Sequence, residues 1–248
     1  HGLPVEVEVE KELGIHGKEA IEAYGVEAFT KKCIASVFRY TDAWEQLTER
    51  IGFWVDLPDA YVTYHQSYVE SVWWALATLF EKGLLYRGHK VVWWWPQGGT
   101  ALSAGEVGLG YKTVDDPSII VRFPWKDVAN TAFLAWTTTP WTLPSNCALA
   151  VHPDITYAFV RVEGSAELVV VAEPLVAALF DKTPHTIEKR VAGQELVGTA
   201  YVPPFDYARP EGGKAHEVIA APFVTTDTGS GIVHIAPAFG VDDFNVAK

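Results

Sequence analysis

The chain has 248 residues, 49% hydrophobic and 13% aromatic, with a formal net charge of −12, so it can bury a core in one large or two smaller domains but carries the wrong sign for a free-standing nucleic-acid binder. Any nucleic acid it meets must draw most of its phosphate contacts from elsewhere. Two cysteines, Cys33 and Cys147, make neither a disulfide framework nor a CxxC pair, which fits a reducing cytosol and no metal site, and no apolar run suits a membrane span or a secretory signal. The sequence lacks methionine and starts at His1, so an internal fragment of something larger is expected. It stops at DDFNVAK, which reads as the opening turn of a helix.

Two helical blocks come first. Val26, Phe29, Cys33, Val37, Tyr40, Trp44, Leu47 and Ile51 recur at steps of three and four, and a long amphipathic stripe is expected there, facing a core. Val69, Val72, Trp73, Leu76, Leu79 and Phe80 repeat the pattern, and Gly83 suits the position just past a helix end. Cys33 lies within the first stripe and reads as inert packing. The glycine-rich stretch PQGGTALSAGEVGLGY, residues 96–111, is expected to join two parts. GEVGLG within it lacks the GxGxxG spacing and follows no convincing βα unit, which excludes a dinucleotide loop.

From about residue 112 the apolar runs become short and β-branched: SIIVRF, AFLAW, CALAV, TYAFVRV, ELVVVA, EVIAA and GIVHIA. Turn residues separate them, and one short helix, EPLVAALF, interrupts them. A small mixed β-barrel is expected here rather than a parallel α/β sheet. Two polar stretches stand out. In TTTPWTLPSN, residues 137–146, Pro140 and Pro144 remove two backbone donors, so a ladder strand is excluded. On local grounds the turn reads first as a helix cap, with a polar-ligand turn as the alternative. In TTDTGSGIVHIAPAFGVDD, residues 225–243, Gly229 and Gly231 flank Ser230, and His234 sits in an apolar strand. Taken alone, His234 reads as a satisfied core histidine, and Asp242 or Asp243 as an N-cap. No Ser-His-Asp order and no metal-ligand cluster is present.

Together, WTTTPWTLPSN and GSGIVHIAPAFGVDD resemble the paired signature of the editing domain of isoleucyl-tRNA synthetases, the insertion called connective polypeptide 1. HGLPVEVEVEKELG and WVDLPDAYVTYHQSYVESVWWAL resemble the catalytic Rossmann domain of that family, just past its first ATP-binding motif. The resemblance covers essentially the whole chain. It implies an α/β molecule, with residues 1–97 a partial Rossmann-type catalytic domain and residues 98–248 a mixed β-barrel editing domain truncated at its end. It also implies an isoleucine–tRNA ligase in the cytoplasm, using ATP and magnesium as a whole and no cofactor in this fragment. The implied partner is the 3′ end of tRNA(Ile) bearing valine or isoleucine, with no membrane and no stable protein partner.

By motif position, the resemblance makes Thr137, Thr138, Thr139, His234 and Asp243 the catalytic set. Trp136, Thr142, Asn146, Ser230 and Gly231 become substrate-binding residues. Asp243 is expected to pair with the α-ammonium of the substrate, and His234 to set pocket size and orient the ester. With no strong base among them, the water is expected to be activated by the ribose hydroxyl of the substrate itself.

Two departures matter. Many relatives carry a zinc-binding CPxCG where this chain has Trp95-Pro96-Gln97-Gly98-Gly99, so no metal is expected and tryptophan packing should replace the clip. Valyl and leucyl relatives carry an arginine where Thr139 stands, which disfavours the alternative of a valyl-tRNA synthetase. A second alternative is a non-catalytic, editing-like RNA-binding module. The fragment itself is not expected to aminoacylate.

Overall fold

In the computed structural model, which describes residues 2–207, 210–211 and 213–248, the chain divides into two units between Val107 and Gly108. The first is mostly helical: α1 (Gly2–Leu13), α2 (Lys18–Tyr24), α3 (Val26–Val37), α4 (Thr41–Arg50) and α5 (Gln66–Glu81). A hairpin of β1 (Trp93–Trp95) and β2 (Thr100–Leu102) follows, and α6 (Ala104–Gly108) runs across the boundary. α1 and α2 pack on α3, with Val9 and Phe29 as the buried hydrophobics described in this unit. Glu10 is also buried, and its Oε1 accepts the Gly17 N–H at 3.0 Å. This ties the turn after α1 back onto the helix.

Three expectations meet the structure here. Gly83 does stand just past α5 at φ 68°, its N–H on the Phe80 carbonyl and that of Leu84 on Leu79. Apart from Phe29, however, the two apolar stripes do not face a core. The first is broken by a 3-10 turn at Phe38–Tyr40, and Trp44 and Trp73 are 67% and 70% exposed. Periodicity tells which residues share a face, not what covers it; within this unit α4 and α5 find little to pack against. At the third place, the Trp95 ring lies so close over Gly98 that a Cβ there would come within 2.1 Å of it. Tryptophan packing does occupy the turn between β1 and β2. No two strands run parallel among the described residues of this unit, so a doubly wound sheet is not shown in it.

The second unit holds β3 (Ile119–Pro124), β4 (Thr131–Thr137), β5 (Ala148–Val151), β6 (Thr156–Val162), β7 (Leu168–Ala172), β8 (His185–Ala192), β9 (Glu217–Ala220) and β10 (Val233–Ile235). Short helices α7 (Val176–Leu179), α8 (Gly193–Leu196) and α9 (Val241–Val246) interrupt them. The mixed sheet runs β8-β6-β7-β4-β10-β5-β9, with β3 also on β4. The mixed β-barrel expected takes the form of a curled half-barrel, whose end strands β8 and β9 do not pair with each other among the described residues. Strands β6 and β7 are covered on both faces: Tyr157, Phe159 and Val170 join the main core, while Ala158, Val160 and Val171 lie under α7. Burial on both sides is why these runs read as continuously apolar.

A fork in the sheet positions the functional stretches. β3 pairs along β4 from Ala132 to Thr137, which fills one edge of β4. Two strands share its other edge: β7 pairs with Thr131–Phe133, and β10 takes over at Trp136. The end of β7 and the approach to β10 stay joined, since the Ala172 N–H donates to the Ser230 carbonyl at 2.9 Å. β10 then continues onto β5, placing His234 opposite Leu149. The end of β4 and the start of β10 thus leave the fork side by side.

Candidate functional site

After β4, the proline-containing segment turns as a 3-10 helix over Pro140–Ser145, with Thr139 just before it at φ −125° and ψ 63°. Thr137 and Thr142 are buried, Thr138 is half-buried and Thr139 is exposed. The turn is held by its own hydroxyls. The Thr139 N–H donates to Thr137 Oγ1 at 3.0 Å, and Thr142 Oγ1 donates to the Thr139 carbonyl at 2.8 Å. The three hydroxyls also approach one another, at 3.3 Å between Thr137 and Thr139 and 3.4 Å between Thr139 and Thr142. The hydroxyls hold the turn without capping its helix: Thr139, at the N-cap position, makes no side-chain cap bond.

His234 joins this turn from the neighbouring strand. Its Nε2 lies 2.7 Å from Thr142 Oγ1 and its Nδ1 3.3 Å from Asn146 Nδ2. Asn146 in turn donates to the Ala148 carbonyl at 2.9 Å and accepts the Tyr201 hydroxyl at 2.5 Å. Burial pushes the His234 pKa down to about 4, so the ring is neutral near pH 7. Among the described residues, no buried side-chain nitrogen or oxygen lacks a partner. Both ring nitrogens face protein groups, which makes His234 a fixed wall beneath the threonine turn.

Asp243 lies in the first turn of α9 but does not cap it; the N-cap is Gly240. Its Oδ2 instead reaches back to accept the Ala236 N–H at 2.8 Å, just past the end of β10. Burial raises the Asp243 pKa, an effect opposed by the Ala236 N–H and assisted by the nearby charge of Asp242. An ionised carboxylate accepts several hydrogen bonds, so one N–H leaves capacity for a cation. Half-burial then strengthens the preference for a positive partner.

Trp136, Ser230 and Gly231 belong to the other side of the fork. Trp136 covers Gly229, and with Ile119, Ile120, Leu175, Asp227 and Thr228 it lines a groove of about 540 Å³. Ser230 bonds within its own turn, Oγ to the Ile232 carbonyl at 3.3 Å, and the Gly231 carbonyl accepts the Tyr157 hydroxyl at 2.7 Å. They hold strands together and, among the described residues, make no hydrogen bond to the threonine turn. Tyr157 and Tyr201, both buried, organise the site from outside the two signature stretches. Neither stood out in the sequence, because a tyrosine in an apolar run looks like any core aromatic.

Residues 1–226 match the family model for class I tRNA synthetases (I, L, M and V). Isoleucine–tRNA ligases of Bacillus thuringiensis (strain Al Hakam) and Clostridium novyi (strain NT) are each 51% identical over 248 residues, which is all of this chain and 24% of theirs. That of Thermus thermophilus is 49% identical, again over 100% of this chain and 24% of its own. The chain therefore spans about a quarter of the length of these curated relatives. Among solved structures, the editing domain of the cytosolic leucyl-tRNA synthetase of P. falciparum aligns at a TM-score of 0.41 and 15% identity, over 46% of this chain and 44% of that one.

Proposed function

This chain belongs to the class I tRNA synthetase family, and we propose that it forms the part of an isoleucine–tRNA ligase that carries the editing pocket. The whole enzyme, acting in the cytosol with ATP and magnesium, would charge tRNA(Ile); this part would hydrolyse the valyl ester from the tRNA 3′ end. Residues 1–97 are assigned to its catalytic domain and 98–248 to the editing domain. One observation carries the reading: the 2.7 Å contact of His234 with Thr142 brings the two family stretches together at one place.

The residues suit the task. Asp243 is oriented by Ala236 and supplies a carboxylate for the α-ammonium of the ester, a charge-assisted contact. Thr138 and Thr139, the more open hydroxyls of the turn, can bind the terminal ribose and the attacking water. His234 is neutral with both nitrogens turned to protein groups, so it orients and does not abstract a proton. The ribose hydroxyl of the substrate remains as the group that activates water. A second pocket is needed because one methylene separates isoleucine from valine by only roughly 1–3 kcal/mol, for which this enzyme family is the standard example.

The test is a deacylation time course on the full-length protein carrying this chain, with valyl-tRNA(Ile) and isoleucyl-tRNA(Ile). Hydrolysis of the first and sparing of the second is expected. Asp243→Ala should slow the valyl reaction about ten-fold or more, the scale for losing a half-desolvated ion pair. Deacylation of valyl-tRNA by that variant at the wild-type rate would remove Asp243 from the site.

A further inference from the structure

We propose that Tyr201 is a positioning residue of this site: through Asn146 it fixes His234 as the Nε2–H tautomer and so sets the threonine turn. The proposal rests on the editing reading for its functional consequence, but its geometry stands independently.

Each proton in the chain is forced by the one before. Asn146 Nδ2 is 2.9 Å from the Ala148 carbonyl, which can only accept, so that atom must be the NH2 end of the amide. The Oδ1 end therefore faces Tyr201, whose hydroxyl donates to it at 2.5 Å. The second Nδ2 proton points at His234 Nδ1, 3.3 Å away, and that nitrogen must be bare to accept it. A neutral imidazole then carries its proton on Nε2, facing Thr142 Oγ1 at 2.7 Å. Thr142 can accept this proton because its own is already donated to the Thr139 carbonyl at 2.8 Å. The opposite tautomer would set an N–H against the Asn146 NH2 and pull the Thr142 proton away from Thr139.

Tyr201 is built to hold one end of this chain. It is 2% exposed, its ring meets Phe123 edge to face at 5.4 Å, and its N–H donates to the His216 carbonyl at 3.0 Å. Burial raises its hydroxyl pKa, so it remains a protonated donor near neutral pH. Without that hydroxyl, Asn146 Oδ1 would be buried and unsatisfied, and the amide would have reason to rotate.

Nitrogen NMR of the 248-residue chain, labelled at histidine, reads the tautomer directly at pH 7. A pyrrole-type Nε2 and a pyridine-type Nδ1 at His234 support the proposal; a protonated Nδ1 overturns it. Tyr201→Phe keeps the ring and removes the hydroxyl. In the full-length protein it should lower kcat for valyl-tRNA(Ile) deacylation about ten-fold with KM unchanged, the scale of one buried acceptor left unsatisfied. In the chain it should also mix the His234 tautomers, which a merely structural role would not do. Wild-type kcat with a wild-type tautomer in the variant overturns the proposal. Should the variant fail to fold, a protonated Nδ1 in the wild-type nitrogen spectrum would still overturn the proposal. If the wild-type protein does not deacylate valyl-tRNA, the editing reading fails while the tautomer result stands.

Discussion

His234 is where the chemistry of single residues becomes a stability statement. Its pKa falls from 6.5 to about 4 on folding because the charged ring would lose water and gain no anion. The unfolded chain therefore binds a proton that the folded one refuses between those two values. Stability is full above the unfolded pKa and declines as pH falls toward the folded one. The loss should reach about 2 kcal/mol between pH 7 and pH 5. Asp243 works in the opposite sense: burial raises its pKa from 3.8, so protonating it as pH falls relieves a cost. Urea titrations at pH 7, 6 and 5 check this, with His234→Gln as the comparison, since glutamine keeps a donor toward Thr142 but does not titrate. If the variant loses as much stability as wild type over that range, another group governs the acid response.

At the scale of elements, the fork between β7 and β10 has its most demanding point at Gly231. It sits at φ 71°, and a Cβ there would come within 2.3 Å of the Ala172 Cβ, while its carbonyl holds the Tyr157 hydroxyl. Gly231→Ala combines left-handed strain with overpacking and should destabilise the β-rich unit by about 2–4 kcal/mol. Equilibrium urea denaturation gives the value, and a loss below about 0.5 kcal/mol, the ordinary surface range, would mean that the two strands separate easily there. The glycine was visible in the sequence as part of GSG; its crowding against Ala172 was not, because that partner comes from a distant strand. The same holds across the fold. The apolar runs from residue 112 onward revealed the strands, and the two prolines revealed that residues 137–146 leave the sheet. Barrel closure was not legible, since short strands separated by turns are compatible with open and closed sheets alike. Read from its own surroundings Asp243 looked like a cap, and only the family resemblance gave it another role; its reach to the Ala236 N–H was not legible. In the first unit, Val5 to Glu10 alternates with a period of two, yet it lies in α1, because Val9 packs within that unit.

For the whole molecule, the two units differ in how far they satisfy their own apolar residues. Seven of the ten tryptophans lie in residues 2–107. Trp44, Trp54, Trp73, Trp74, Trp93 and Trp94 are all exposed there, whereas Trp125 in the second unit stacks on Phe133 at 5.0 Å within the main core. Six exposed tryptophans are a large aromatic surface for one unit to leave open to water. A unit whose described buried hydrophobics are Val9 and Phe29 has little to offset the conformational entropy of ordering five helices. Residues 108–248 have a continuous core running from Phe123 to Ile232 and should unfold in one cooperative transition. Residues 2–107 prepared separately should instead bind an apolar dye such as anilinonaphthalene sulfonate and melt broadly. Their tryptophan emission should also be quenched more fully by iodide than that of residues 108–248, where Trp141 is exposed but Trp125 and Trp136 are half-buried. Dye titration, iodide quenching and thermal melts on the two segments make the comparison. A sharp melt with no dye binding for residues 2–107 would mean that its stripes find cover within the unit itself.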